Sequence, residues 1–235
     1  MTNSSTQDSS LTQLLRRETS AEVLFDDFSR GLYSTDASIY QIKPLGVVVP
    51  KTEQDVLATL GIANDAGVSV TMRGGGTSQC GQTVGEGIIV DVSKHLNRLI
   101  SVDPETRRAV VQPGIVLDQL NALLKPHGLF FPVDVSTSSR ATIGGMTANN
   151  SCGARSIRYG KMVDNVRAVD AVLADGNQMH FGEWGNGTAT APEWQQQLVD
   201  KLLELGNREA DEVARRFPKV QRRVGGYNLD VLTSE

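Results

Sequence analysis

The stretch that decides the fold is VSVTMRGGGTSQCGQ, at positions 68–82. Its first part alternates small and β-branched residues and predicts a short strand. The three consecutive glycines that follow have no Cβ, so their backbone can adopt positive φ and approach a bulky ligand closely. Successive N–H groups in such a turn can form a nest for an anion. Hydroxyl groups at Thr77 and Ser78 and the permanent cation of Arg73 would suit a diphosphate. On these residues alone, a glycine-rich hairpin turn is an equally good interpretation.

This stretch fits neither of the two commonest phosphate-binding motifs. A P-loop requires a lysine after its glycines, and none follows here. A Rossmann fingerprint requires glycines that open a helix, whereas Gln79, Gly85 and Gly87 interrupt any helical pattern. The run IIVDV at positions 88–92 predicts another strand. The loop therefore connects two strands, and its amides would bind a diphosphate without a helix dipole behind them.

The residues before the loop predict a β-α-β unit. The run GVVVP at positions 46–50 is typical of a buried strand that ends at proline. Thr52 and Asp55 match an N-terminal capping pair. One apolar helix face follows, at Val56, Leu60 and Ala63. Gly67 predicts the end of that helix. The glycine loop thus leaves the end of the second strand of the unit.

Three ordered motifs resemble the FAD-binding domain of the vanillyl-alcohol oxidase superfamily, which has the PCMH-type fold. They are RGGGTS at 73–78, preceded by PKTEQDV at 50–56, then VQPG at 111–114, and ATIGGMTANNSCG at 141–153. The resemblance covers residues 38–175 and is closest to the branch of D-lactate and D-2-hydroxyglutarate dehydrogenases and the glycolate oxidase FAD subunit. It implies an α+β fold of two α/β subdomains with the cofactor between them. The first subdomain would be a parallel β-α-β part through about Met72, and the part after it would be mixed and mainly antiparallel.

The resemblance also implies which residues bind FAD. We name residues 73–82 the first glycine loop and residues 141–153 the second glycine loop. The implied cofactor-binding residues are Arg73, Gly74, Gly75, Gly76, Thr77, Ser78, Gly81, Gln82, Pro132, Asp134, Ser136, Thr142, Gly144, Gly145, Asn149, Ser151, Cys152 and Gly153. The diphosphate would lie at 73–78 and 144–145, and the isoalloxazine ring near 80–82 and 149–153. Covalent members of the family tether flavin through a histidine in the first loop, which is absent here, so we expect non-covalent FAD.

The second glycine loop has an alternative interpretation. Gly144 and Gly145 follow β-branched Ile143 and let the backbone approach something flat or phosphorylated. Asn149, Asn150 and Ser151 would supply neutral donors and acceptors. The alternative is a structural turn into a helix of small residues.

The cysteines and histidines give no catalytic or metal site. Cys80 and Cys152 form no C-x-x-C motif, so an iron–sulfur cluster or structural zinc within this chain is improbable. Both are better interpreted as small buried thiols. His127 ends a predicted helix, where the helix dipole favours a histidine. His95 and His180 have no carboxylate or cysteine partner at a telling spacing, and we assign both to the surface. No metal is expected, and the catalytic residues are unknown.

Composition sets broad limits on function. The 235 residues carry a formal net charge of −4, with 39% hydrophobic and 21% charged residues. This lacks the basic surface of a nucleic-acid-binding protein, so no nucleic acid is expected as a partner. Apolar runs are too short for a membrane span, and the polar first residues do not match a secretory signal. We expect a cytoplasmic protein, or one peripheral to a membrane.

The domain organisation predicted from the sequence is a lead-in followed by one domain. Residues 1–37 would form a polar tail, unstructured through Ser10, and one or two short helices within 11–27. Residues 38–235 would form the FAD-binding domain, without its C-terminal part. Within it, we expect a strand at 166–173 with a hairpin turn after it. Two further helices are expected, one through Leu205 and one over 207–217.

The resemblance implies the FAD-binding portion of an oxidoreductase. Family members in this branch oxidise a small D-2-hydroxy acid, of the lactate or 2-hydroxyglutarate type, by hydride transfer to flavin. The family's Gly-Thr-Leu flavin segment, substrate domain and cysteine-rich region have no counterpart before Glu235, so this chain alone is expected to be inactive. The electron acceptor would be an iron–sulfur domain, a quinone or a cytochrome. The alternatives are a non-catalytic FAD-binding fragment or module, and a flavin oxidase of sugars or alcohols.

Overall fold

The computed structural model describes residues 4–182, 192–220, 223 and 226–232. The chain divides into two compact units. The first contains residues 1–166 and 172–178, and the second contains residues 167–171 and 179–235. Helices and strands occur in both, which confirms the α+β class.

A four-stranded sheet forms the centre of the first unit. Its strands are β1 (Glu22–Leu24), β2 (Gly46–Val49), β3 (Val70–Arg73) and β4 (Ile88–Asp91), in the order β1-β2-β4-β3. Strand β4 is parallel to both of its neighbours, and β1 is antiparallel to β2. The central strands β2 and β4 are buried along their whole length, which explains the apolar runs at 46–49 and 88–90. The part after Met72 was expected to be mixed and mainly antiparallel, and β4 is its parallel strand. Strand β1 lies where a helix was expected.

Helices cover the sheet. These are α1 (Ser4–Glu18), α2 (Asp27–Leu32) and α3 (Glu53–Asp65). The predicted capping box of Thr52 and Asp55 begins α3, and Gly67, with φ +65°, follows its last turn. Leu11 and Leu15 of α1 are buried in the cluster that also contains residues of α3. The helix begins at Ser4, so the prediction of an unstructured tail through Ser10 is wrong.

The remainder of the first unit has its own core. It begins with an antiparallel hairpin of β5 (Leu99–Asp103) and β6 (Arg108–Val111). Helix α4 (Leu117–Leu124) and a 3-10 turn that ends at Gly128 follow. Three short helices come next: α5 (Ile143–Ala148), α6 (Ser156–Tyr159) and α7 (Met162–Asn165). Ile115, Leu117, Val133 and Met162 are almost fully buried in this core. The antiparallel pairing of β5 and β6 agrees with the pairing expected after Met72.

The second unit is dominated by one long helix. Strands β7 (Val169–Val172) and β8 (Gln178–Phe181) form a two-stranded sheet, and α8 (Glu193–Arg216) is followed by a 3-10 turn at Leu229–Val231. The two helices predicted on either side of Gly206 are one continuous helix. Gly206 lies inside this helix at a point where the carbonyl group of Leu232 packs against the helix and leaves no room for a Cβ atom. Across the described residues, no helix has the length and apolar character needed to cross a membrane.

Candidate functional site

The first glycine loop leaves the carboxyl end of β3, beside the carboxyl end of the parallel strand β4. This edge of a parallel sheet is the usual place for a ligand in α/β architectures. Gly76 and Gly81 adopt the left-handed conformation, with φ of +63° and +78°. Gly74 and Gly75 do not. The expectation of positive φ along the glycine run therefore holds for only one of its three members.

The amide groups of the first glycine loop are largely unused. The six consecutive N–H groups of residues 74–79 donate no hydrogen bond to any described residue. The next one, of Cys80, donates to Ser78 Oγ over 3.3 Å. Since most backbone N–H groups in folded proteins are paired, a run of free ones is available to bind an anion.

The two glycine loops meet each other. A methyl group at Gly74 would overlap the hydroxyl oxygen of Thr142, and one at Gly75 would overlap the carbonyl oxygen of Arg140. Further along the loops, Gln82 Nε2 lies 3.4 Å from Asn149 Oδ1. The glycines at 74 and 75 therefore allow close approach of the chain to itself.

Thr142 contributes an unpaired hydroxyl group at this junction. Its side chain is buried, with 2% exposure, and its Oγ1 atom has no hydrogen-bond partner among the described residues. The hydroxyl lies between Gly74 and Gly145, one glycine from each loop. A buried polar atom without a partner costs about 1–3 kcal/mol, so a partner from outside the protein chain, such as water or a ligand, would stabilise this hydroxyl.

Other predicted residues of the second region hold the chain in place. The N–H group of Gly144 donates to the carbonyl oxygen of Pro113 over 2.8 Å. Asp134 Oδ1 accepts a hydrogen bond of 2.9 Å from the N–H group of Arg155. The backbone of Asp134 lies directly against Gly153. These contacts explain two of the glycines by packing within the protein.

The remaining predicted residues flank the junction of the loops. Pro132 and Ser136 lie in the connection that precedes α5. Ser151 follows α5, and its N–H group donates to the carbonyl oxygen of Met146. Cys152 is a free, half-buried thiol, whereas the thiol of Cys80 is exposed. The prediction that both thiols are buried is therefore wrong for Cys80.

Arg73 is turned toward the protein. Its guanidinium carbon lies 5.2 Å from the ring centroid of Tyr33, and its Nη1 donates to the carbonyl oxygen of Thr83 over 3.3 Å. The hydroxyl of Tyr33 donates to Asp91 Oδ2 over 2.7 Å. Burial raises the pKa of Tyr33, as do its hydrogen bond to Asp91 and the charge of that carboxylate. Neither Tyr33 nor Asp91 was identified as a site residue from the sequence.

A cleft of about 360 Å³ adjoins this edge of the sheet. Its lining includes Arg73, Gly74, Gly75 and Arg140 from the region of the two glycine loops, together with Tyr33 and Asp91. The cleft thus combines two guanidinium groups with one carboxylate. This lining suits a polar, anionic ligand better than an apolar one.

The histidines have carboxylate partners that the sequence did not reveal. His95 Nε2 lies 2.7 Å from Glu22 Oε1, and His180 Nδ1 lies 2.7 Å from Asp170 Oδ1. Hydrogen bonds from Lys94 and then His95 lower the pKa of Glu22. The assignment of both histidines to the surface is confirmed for His180, which is exposed, whereas His95 is half-buried. Within the part of the chain that the structure describes, no group of three or more His, Cys, Asp or Glu side chains could hold a metal ion.

Comparison with known sequences identifies the family. Residues 44–182 match the family described as FAD binding domain. The chain belongs to this family of FAD-binding domains. The match spans both glycine loops, and it confirms FAD as the cofactor. The free amides of 74–79 and the unpaired hydroxyl of Thr142 fit the anionic diphosphate of that cofactor.

Named relatives agree with the predicted branch. D-2-hydroxyglutarate dehydrogenase of Pseudomonas putida is 38% identical over 221 residues, which are 91% of this chain and 22% of that enzyme. Glycolate oxidase subunit GlcD of Bacillus subtilis is 38% identical over 67% of this chain and 34% of the subunit. D-lactate dehydrogenase of Archaeoglobus fulgidus is 39% identical over 58% of this chain and 30% of that enzyme. This chain therefore spans about a fifth to a third of the length of these relatives.

The fold is shared with solved structures. Crystalline p-cresol methylhydroxylase superposes with a TM-score of 0.63 at 21% sequence identity, over 80% of this chain and 38% of that one. At this identity the likeness shows the fold alone. It confirms the PCMH-type architecture predicted from the motifs.

Proposed function

We propose that this chain is the FAD-binding portion of a flavin-dependent dehydrogenase that oxidises a small D-2-hydroxy acid. The observation that carries the binding role is the run of six free amides at 74–79 beside the unpaired hydroxyl of Thr142. The relatives named above support the reaction class. Lactate and 2-hydroxyglutarate are the substrates that their names suggest.

In this proposal the diphosphate is bound mainly by backbone groups. The N–H groups of residues 74–79 would donate to the diphosphate, and the hydroxyls of Thr77, Ser78 and Thr142 would supply three more donors. The N–H group of Gly145, which donates to no described residue, belongs to the same set. Arg73 contributes positive charge from behind the loop. Neutralisation by several fixed dipoles needs no reorganisation when the cofactor enters.

The isoalloxazine ring is assigned to residues 80–82 and 149–153, where Gln82 and Asn149 face each other. The bound flavin would supply the hydride acceptor, while the protein binds and orients it. The other residues predicted to bind the cofactor, including Pro132, Asp134, Ser136 and Cys152, stay predictions. Non-covalent attachment, a cytoplasmic location and an iron–sulfur, quinone or cytochrome acceptor also stay predictions from the sequence.

A second candidate is an FAD-binding module without catalysis of its own. The observation that favours it is the lining of the cleft, which includes neither His95 nor His180. Their pairing with Glu22 and Asp170 does not by itself assign them to catalysis, because such ion pairs are also common at protein surfaces. The two candidates share FAD binding and differ in the substrate reaction.

Calorimetric titration of flavin-free protein with FAD tests the shared claim. Thr142→Val should raise the dissociation constant for FAD about 10- to 100-fold, because a hydrogen bond to a charged group contributes about 1.5–3 kcal/mol. Thr142→Ser, which keeps the hydroxyl, should bind nearly as the parent does. Thr59→Val is the matched control, since Thr59 is equally buried but donates to the Asp55 carbonyl oxygen within its own helix. No heat of binding in the parent protein would refute the proposal.

Acid precipitation then tests the mode of attachment. Yellow flavin released into the supernatant is the result expected for a non-covalent cofactor. Flavin that stays in the pellet would refute non-covalent attachment and leave the binding claim intact.

A further inference from the structure

Asp91 is a buried carboxylate at the carboxyl end of β4, with 7% exposure. It accepts three hydrogen bonds: from the hydroxyl of Tyr33 over 2.7 Å, from the N–H group of Ser93 over 2.8 Å, and from Ser93 Oγ over 2.6 Å. A buried carboxylate with this many donors is held firmly in one position. It fixes the ring of Tyr33, which reaches it from a segment 58 residues earlier in the chain.

Tyr33 in turn supports Arg73. The guanidinium group stacks over the ring at 5.2 Å, within the range of a cation–π interaction. The hydrogen bond to Asp91 makes the phenol ring more negative, which strengthens its attraction for the cation. The pKa of Tyr33 is raised by burial and by Asp91, so the ring stays neutral at physiological pH.

Arg73 then closes the first glycine loop. Its Nη1 donates to the carbonyl oxygen of Thr83, just beyond the loop. Its Nη2 lies 2.6 Å from the position of a Cβ at Gly76, so the side chain lies under the turn of the loop. The side chain that begins the loop thus contacts both its middle and its end.

We propose that Tyr33 and Asp91 are positioning residues for the cofactor site, which act through Arg73 to keep the amides of 74–79 in one binding arrangement. This inference rests on the proposed FAD-binding function. In this inference Arg73 supports the first glycine loop from within the protein. In the opposing view, Arg73 leaves this position and binds the diphosphate directly. The physical reason is that six free N–H groups have no hydrogen bonds of their own to hold them in place. The loop is held by other contacts: the N–H group of Ala37 donates to the carbonyl oxygen of Gly76 over 3.2 Å, Gly74 and Gly75 pack against residues 140–142, and the side chain of Arg73 supports the turn at Gly76.

The test combines loop order with FAD affinity. Backbone 15N relaxation of the flavin-free chain measures order for residues 74–79. Tyr33→Leu should lower the order parameters of these amides from about 0.85 to below about 0.6. FAD should bind about tenfold more weakly, as expected for loss of a cation–π contact. Tyr33→Phe, which keeps the ring, should retain most of the order and lose about threefold in affinity. Tyr227→Leu is the control, because Tyr227 is 88% exposed.

A double-mutant cycle with Arg73→Ala separates the two views. If Tyr33 acts through Arg73, the double variant Tyr33→Leu/Arg73→Ala should bind FAD no more weakly than Arg73→Ala alone. Additive losses, or full loop order in Tyr33→Leu, would overturn the inference. If circular dichroism shows that Tyr33→Leu does not fold, the same cycle is measured with Tyr33→Phe, and additivity of the FAD affinities alone decides, because this variant keeps most of the loop order. Loop order is measured without FAD, so failure of the FAD-binding proposal itself would be seen separately.

Discussion

The contact between Gly75 and the second region gives a sharp prediction. A Cβ atom at Gly75 would overlap the carbonyl oxygen of Arg140 and come within 2.9 Å of the carbonyl carbon. These are main-chain atoms, so they cannot move aside by a change of rotamer. Gly75→Ala therefore forces the first glycine loop and the segment before Thr142 apart.

The expected loss of stability is about 1–3 kcal/mol, the usual cost of an added methyl group that requires backbone movement. The overlap lies at the junction that holds the unpaired hydroxyl of Thr142. The same displacement should therefore raise the dissociation constant for FAD by at least about tenfold, which is equivalent to about 1.4 kcal/mol of binding free energy. At Gly74 the overlap is with the side chain of Thr142, so Gly74→Ala can relax by rotation of that side chain and should cost less stability.

Urea denaturation monitored by circular dichroism measures the first effect, and calorimetric titration with FAD measures the second. Gly61→Ala is the matched control. Gly61 is exposed within α3, and a Cβ there would meet nothing within 4 Å. It should therefore gain about 0.5–1 kcal/mol in stability. A Gly75→Ala variant with unchanged stability and FAD affinity would refute the assignment of this glycine to contact between the two parts of the chain.

Three further predictions follow from other contacts. Burial alone would raise the pKa of Asp55, but hydrogen bonds from Ser20, Lys51 and Thr52 outweigh it and lower that pKa. The ionised carboxylate therefore stabilises the fold above its ordinary pKa near 3.8, and this stabilisation is lost as pH falls through the lowered pKa. Asp55→Asn should lower the free energy of unfolding, measured by urea titration, by about 2 kcal/mol at pH 7 and by less at pH 3. An equal loss at both pH values would contradict this. Gly76→Ala should weaken FAD in calorimetry, because a residue with a Cβ is strained at φ +63° and would press on Arg73; unchanged affinity would contradict this. The FAD-loaded chain should not lose its flavin absorbance with D-lactate, D-2-hydroxyglutarate or glycolate, and bleaching by any of them would reveal a complete active site within it.

The sequence predicted those parts of the fold that depend on local chemistry. The capping box at Thr52 and Asp55, the apolar face of α3 and the stop at Gly67 each involve residues within one helix, so spacing alone identifies them. The two glycine loops were found in the same way, because a run of glycines beside small polar residues can be recognised in the sequence without knowledge of the fold. Pairing between strands was harder to predict. The sequence of β4 would be the same whether its neighbouring strands ran parallel or antiparallel to it. Only the tertiary structure shows that β4 lies between β2 and β3.

Contacts over long sequence separations were decided by the tertiary structure. Spacing carries no signal for the pair of Tyr33 and Asp91, 58 residues apart, or for that of His95 and Glu22, 73 residues apart. The direction of Arg73 also depends on such a contact, since a cation next to a glycine loop can face either a ligand or the protein. The sequence by itself determined the cofactor class, and it located the two glycine loops that we propose to bind the cofactor, because both are recorded in short motifs. Only the folded chain decided which glycines serve chain packing, which hydroxyl is left unpaired and which side chains support the loop, because each depends on atoms brought together from distant segments.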